Sequence, residues 1–326
     1  LKLKIATNSS YDRSMSQTVN VLGVSHAYEL TPPRQAPCVL VFVHGWLLSR
    51  EYWRPLICQL SEDYQCLSYD LRGFGESGAG IDPNNSSRSL LSSEPLSADA
   101  QGEDASASYT PAAYARDLIA LLENLDIENA WVIGHSLGGS IALWASGLAP
   151  HLIRGVICVN SGGGIYVKEE FEKFRLAGQQ LVRFRSPWIS RFPFFARVLS
   201  RMNVAHPIAI KWGRQRLHDL IVAHAEAALG TLLDSTTEDE VHTLPQVVAR
   251  LKQPVYFISG IEDDIMEPKY VNHLASFHSS FQCSGKNVTQ IHECGHMAMI
   301  EQTEQVETHI RHYLEQHGFK NATLDD

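Results

Sequence analysis

The six residues Gly134-His135-Ser136-Leu137-Gly138-Gly139 constrain this chain more than any other stretch. An apolar run, Ala130 to Ile133, precedes them and a small-residue helical pattern, Leu137 to Leu148, follows, so a strand must pass directly into a helix. Such a turn forces its central residue into a strained backbone conformation. Only glycine at the positions two before and two after leaves room for it. Gly134 and Gly138 fill those positions. Ser136 would then stand at the tip of the turn, at the start of a helix whose free backbone N–H groups can receive a developing negative charge. The spacing predicts a nucleophile elbow with Ser136 as the nucleophile.

Strand and helix patterns alternate along most of the chain. Gln17 to Leu22 and Val24 to Leu30 read as a hairpin joined at Gly23, and Pro32, Pro33 and Pro37 then break the pattern. Cys38 to Val43, Gln65 to Tyr69, Ala130 to Ile133, Gly155 to Val159, Val255 to Ser259 and Val288 to Ile291 read as buried strands. Glu51 to Leu60, Ala112 to Leu125 and Thr303 to Gln316 have helical spacing. That rhythm predicts an α/β protein with a mostly parallel sheet, helices on both faces and an active site at the carboxyl ends of the strands. Two segments interrupt it. Residues 78–111, rich in Ser, Ala, Asp and Glu, read as a flexible insertion or a surface loop within the core. Residues 161–250 are helix-patterned without a convincing strand and read as an inserted helical cap, leaving 1–160 and 251–326 as the core.

Composition bounds the possibilities. The 326 residues hold ample material for a large core, and no apolar run approaches the roughly 18 residues needed to cross a bilayer. The N-terminal stretch to Ser16 reads as a truncated or processed end and not as a secretory signal. Net charge is −9, which argues against nucleic acid as a partner. The charge is uneven, since residues 165–216 carry eleven Lys and Arg against three Glu. The six cysteines are scattered; Cys38, Cys66 and Cys158 fall in apolar runs and read as buried thiols, favouring a reducing, soluble compartment.

A serine hydroxyl needs a base and an orienting carboxylate. In elbow enzymes these follow the serine in the order acid, then histidine. His296 lies in Glu293-Cys294-Gly295-His296-Met297, between the last strand and the closing helix, and is the candidate base. Asp263 and Asp264, just past the strand Val255 to Ser259, both qualify as the acid, and Asp263 is preferred. His292-Glu293-Cys294-Gly295-His296 also fits a zinc-binding pattern, but that pattern needs a continuous helix, and here the segment leaves a strand and contains Gly295. No metal and no cofactor are expected. For an oxyanion hole, the amide of Leu137 is one donor, and the amide of Trp46, in the turn His44-Gly45-Trp46 after the strand Cys38 to Val43, is the candidate for the second. His44 reads as a structural hydrogen-bonding residue.

In their order, His44-Gly45-Trp46, the turn Asp70-Leu71-Arg72-Gly73-Phe74-Gly75-Glu76-Ser77, Gly134 to Gly139, the loop Gly260 to Pro268 and Gly295-His296 resemble the alpha/beta-hydrolase superfamily across nearly the whole chain. The resemblance implies an eight-stranded, mostly parallel sheet with the cap over the pocket, and a scaffold role for Asp70 and Arg72. The serine separates the chain from the haloalkane dehalogenase and epoxide hydrolase branches, which use aspartate at the elbow. The long 78–111 insertion and one extra residue between Asp263 and Pro268 are departures from the pattern.

The expected reaction is hydrolysis of a carboxylic ester or thioester of a hydrophobic substrate through Ser136, His296 and Asp263. Acyl transfer, carbon–carbon bond hydrolysis and a ligand-receptor role are the alternatives. Phe171 to Met202 interleaves aromatics (Phe174, Phe184, Trp188, Phe192, Phe194, Phe195) with arginines. That composition suits docking on an anionic membrane surface. The favoured reading, however, puts the aromatics in the pocket wall and cap core.

Overall fold

The computed structural model describes residues 16–79, 108–164, 168–284 and 287–319. Eight strands form one sheet: β1 (Gln17–Val21), β2 (Val24–Leu30), β3 (Val39–Val43), β4 (Gln65–Tyr69), β5 (Ala130–His135), β6 (Ile153–Val159), β7 (Val255–Gly260) and β8 (Val288–Ile291). Their order is β1-β2-β4-β3-β5-β6-β7-β8. β1, β2 and β4 pair antiparallel, and every pair from β4 through β3 to β8 is parallel. The helices of the core are α1 (Arg54–Leu60), α2 (Pro111–Asn124) and α3 (Leu137–Leu148).

Successive residues of a strand face opposite sides of a sheet, and β3 shows what that does here. Val41 and Val43 join one apolar cluster with α2 and α3, while Leu40 and Phe42 join a second with α1 and the C-terminal helix. Strands buried on both faces therefore need the continuous apolar runs that the sequence supplies. Thr110 caps α2 by accepting from the Ala113 amide at 3.2 Å, and Pro111 opens the helix where no donor is missed. The helical pattern from Glu51 begins as a 3-10 turn, Arg50–Trp53, before α1. Pro55 has no N–H to return to the Glu51 carbonyl, so an α-helical bond cannot form there.

Between β6 and β7 the described chain is helical: α4 (Lys168–Phe184), a 3-10 turn (Pro187–Arg191), α5 (Pro193–Leu199), α6 (Ile210–Val222), α7 (Ala225–Asp234) and α8 (Glu238–Arg250). α9 (Pro268–Ala275) and α10 (Ser279–Ser284) lie between β7 and β8, and α11 (Ala298–Glu301) and α12 (Thr303–Gln316) close the chain. Most of the insertion expected at 78–111 lies outside the described residues. Its C-terminal end is tied down, because the Tyr109 amide donates to Asp234 on α7 at 3.0 Å and the Tyr109 ring is buried.

The favoured expectation for the cap aromatics needs correction. Phe174 lines a cavity, but Phe184, Trp188, Phe192 and Phe194 are exposed. α5 turns its small residue inward: Ala196 is buried and its carbonyl sits against Gly213 of α6, so the large rings flanking it face out.

Candidate active site

β5 ends at His135 and α3 begins at Leu137, leaving Ser136 between them at φ 52° and ψ −119°. A side chain held in that region costs on the order of 1–3 kcal/mol and persists only where the surroundings impose it. Here the Ser136 amide donates to the Val159 carbonyl at 3.0 Å and the Gly139 amide donates back to Ser136 at 3.0 Å. A Cβ on Gly134 would overlap the Gly138 carbonyl, and one on Gly138 would overlap the carbonyls of Val43 and His44. The glycines thus let the elbow close on itself and lie against the end of β3.

That contact brings the turn after β3 beside the serine. A Cβ on Gly45 would stand 2.9 Å from the His135 ring and 3.2 Å from the Ser136 Cβ. Among the described residues, neither the Trp46 nor the Leu137 amide is given to a backbone carbonyl. The Trp46 indole donates to the Ala228 carbonyl of α7 at 2.8 Å, which fixes the ring against the helical insertion. His44 is fully buried; its Nδ1–H donates to the Gly45 carbonyl at 2.8 Å and its Nε2 accepts from the Leu71 amide at 3.0 Å. Both ring nitrogens are committed, as the structural reading expected.

β7 and β8 end side by side and carry the acid and the histidine. His296 Nδ1–H donates to Asp263 Oδ2 at 2.8 Å. Asp263 Oδ1 accepts from the amides of Ile265 and Met266, both at 2.9 Å, and Oδ2 also accepts from Asn160 Nδ2 at 2.7 Å. Burial alone would raise the Asp263 pKa, yet His296 and these donors together hold the carboxyl below its ordinary value. Asp264 is exposed and does not reach His296. His292 to His296 runs as a turn, with Glu293 at φ 52°, so the two histidines do not share a helical face.

Three neighbours escaped sequence reasoning. Asn160, at φ 48° just past β6, donates to Asp263 and also to the Gly295 carbonyl at 3.1 Å. His135 donates Nε2–H to the His296 carbonyl at 2.7 Å, and burial pushes its pKa down to about 3, so the ring is neutral. Glu301 accepts from the amides of Gly295 (3.0 Å), Met297 (2.8 Å) and Ala205 (2.8 Å), binding the histidine loop to the segment before α6. The visible signals were a polar residue closing the run Val156 to Val159 and a single acid in the apolar run after His296.

Asp70 and Arg72 lie in the turn after β4. Asp70 accepts from the Arg50 amide at 2.8 Å and the Glu76 amide at 2.9 Å and pairs with the Arg50 guanidinium. Arg72 pairs with Asp117 at 3.1 Å and lies over the Tyr109 and Tyr114 rings. Both knit the turn after β4 to its neighbours.

Two cavities open beside Ser136. One of about 380 Å³ is lined by Ser136 and His296 together with Trp46, Phe174, Leu181 and Leu220. The other, about 80 Å³, is lined by Ser136, Leu137, Ser140, Leu232 and Met266, and His296 is not part of its wall. Both are mainly apolar.

The family model of the alpha/beta hydrolase fold matches residues 39–303, and the chain belongs to that family. It is 24% identical over 256 residues to a bifunctional esterase/perhydrolase of Acinetobacter calcoaceticus, covering 75% of this chain and 80% of that protein. Among solved structures it is similar to a thermophilic esterase from Thermogutta terrifontis (TM-score 0.66, 20% identity, 92% and 98% of the two chains). A putative lipase from Acinetobacter baumannii has a TM-score of 0.68 at 20% identity, covering 92% of this chain and 91% of that one. Among the described residues no helix is long and apolar enough to cross a membrane.

Proposed function

We propose that this protein is a serine hydrolase that cleaves a carboxylic ester of a hydrophobic substrate. The observation that carries the reading is the 2.8 Å bond from His296 Nδ1 to Asp263 Oδ2, on a histidine that shares a cavity wall with Ser136. With Nδ1 committed to the carboxylate, Nε2 is left to take the Ser136 proton. Ser136 Oγ attacks the ester carbonyl, and the amides of Trp46 and Leu137 receive the oxyanion. His296 returns the proton to the departing alcohol, and water then frees the acyl enzyme by the same route. The chemistry on these residues needs no cofactor. The names of the similar esterases and the apolar cavity walls agree with this reading.

The two cavities support one orientation of the substrate. The leaving alcohol needs the His296 proton, so it occupies the 380 Å³ cavity that His296 lines, and the acyl group enters the 80 Å³ cavity beside Leu137. Esters of bulky apolar alcohols with short acyl groups are therefore the expected substrates. One series varying the acyl group from acetyl to dodecanoyl on a single chromogenic alcohol, and a second varying the alcohol on acetate, test this. A preference for short acyl and large apolar alcohol is expected. No hydrolysis by well-folded protein sinks the ester reading; a preference for dodecanoyl sinks the orientation.

A further inference from the structure

We propose that the face made by the 3-10 turn Pro187–Arg191, α5 and the start of α6 is a docking surface for an anionic lipid bilayer. The surface would present the catalytic cavity to lipid-dissolved esters; that last step alone rests on the proposed hydrolase function.

Nine of the twelve exposed large apolar side chains among the described residues fall between Leu176 and Ile210. Phe184 is 72% exposed, Phe194 68%, Trp188 54% and Phe192 50%. Trp188, Phe192 and Phe194 form one patch and not scattered singles, since Trp188 packs on Phe192 at 5.6 Å between ring centroids, Phe192 on Phe195 at 6.5 Å and Phe195 on Phe194 at 5.8 Å. A contiguous apolar patch of this kind on a protein surface marks an interaction site.

Charge selects the partner. Residues 173–218 hold no Asp or Glu at all, against ten Lys and Arg, while the whole chain is at −9. A groove of about 600 Å³ between α5 and α6 is lined by Arg197, Arg201 and Arg214 beside Phe194, Ile208 and Ile210. Among the described residues, none of those three arginines is paired with a carboxylate. Guanidinium groups suit phosphate oxygens, and tryptophan and phenylalanine suit the boundary between headgroups and acyl chains. A second copy docking by the same face would set two acid-free, basic surfaces against each other, which disfavours a twofold dimer. The cavity that holds Ser136 and His296 lies close by: Met202, just after α5, and Leu181 of α4 line it, and both are partly exposed.

Docking is measured on the full chain carrying Ser136→Ala, by flotation with vesicles of phosphatidylcholine alone and with added phosphatidylglycerol. Binding to the anionic vesicles, weakened by salt, is expected. The triple change Arg197→Glu, Arg201→Glu, Arg214→Glu should lower partitioning by on the order of a hundredfold, from about fivefold per basic residue at such a surface. Lysine at the same three positions should restore it. Trp188→Ser with Phe194→Ser should also abolish binding, and in the otherwise native chain it should leave turnover of a soluble acetate ester unchanged. Absent binding to anionic vesicles, or equal binding by the triple glutamate variant, overturns the proposal. So does a dimer in light scattering that Trp188→Ser with Phe194→Ser dissolves. Vesicle binding without ester turnover by the native chain would support docking while failing the hydrolase reading; turnover without vesicle binding fails docking alone.

Discussion

Asp263 accepts four hydrogen bonds from four different groups, and its neighbour Asp264 is exposed. Asp263→Asn should keep the fold by circular dichroism and lower kcat on ester substrates by about 10³–10⁴, because an amide stabilises the wrong histidine tautomer. Asp264→Asn should change kcat less than about twofold, since exposed substitutions away from the site are near neutral. Equal losses in both variants would put the acid elsewhere. Ser136, His296 and the acid loop were legible because each sits in a local motif at a strand end. Asn160 and Glu301 were not, because their partners are set by the fold: Asn160 meets Asp263 more than a hundred residues later, and Glu301 reaches back to Ala205. No spacing in a single sequence encodes those meetings.

At the scale of elements, strands buried on both faces announced themselves as continuous apolar runs, and β3 to β8 fall within a residue or two of their expected bounds. Orientation of the inserted helices was less legible. Which face of α5 turns inward depends on Ala196 finding Gly213, a contact that hydrophobicity alone does not reveal. α6 offers a pH test of this packing. Its Asp219 is buried beside Tyr52 and Ser49, Oδ1 accepts from Gln215 at 3.0 Å, and burial raises its pKa to about 7. The folded state then holds a proton that the unfolded chain releases near 3.8, so stability falls as pH rises from about 4 to about 7. Asp219→Asn removes that dependence. Its stability relative to the native chain should grow by roughly 1–3 kcal/mol between about pH 4.5 and about pH 8, read from urea midpoints. A gap independent of pH would contradict a buried, raised Asp219.

Across the whole molecule, the helical insertion and the sheet share one apolar cluster. Val182 of α4, Leu220 of α6, Ala228 of α7 and Leu244 of α8 belong with Val132, Ala142 and Val156 of the sheet and α3. The inserted segment should therefore not unfold separately. Calorimetry should show a single transition, and Leu244→Ala, at a fully buried position, should lower stability by about 2–5 kcal/mol without splitting it. Two resolved transitions would mean that the insertion is a separate folding unit. The described helices of this insertion run from Lys168 to Arg250.

The most direct test is labelling with a fluorophosphonate, followed by intact mass and peptide mapping, on the native chain and on Ser136→Ala and His296→Ala. A single adduct on Ser136, absent from both variants while their folds are retained, is expected. A natively folded chain that takes no label, or takes it on another residue, would contradict Ser136 as an activated nucleophile.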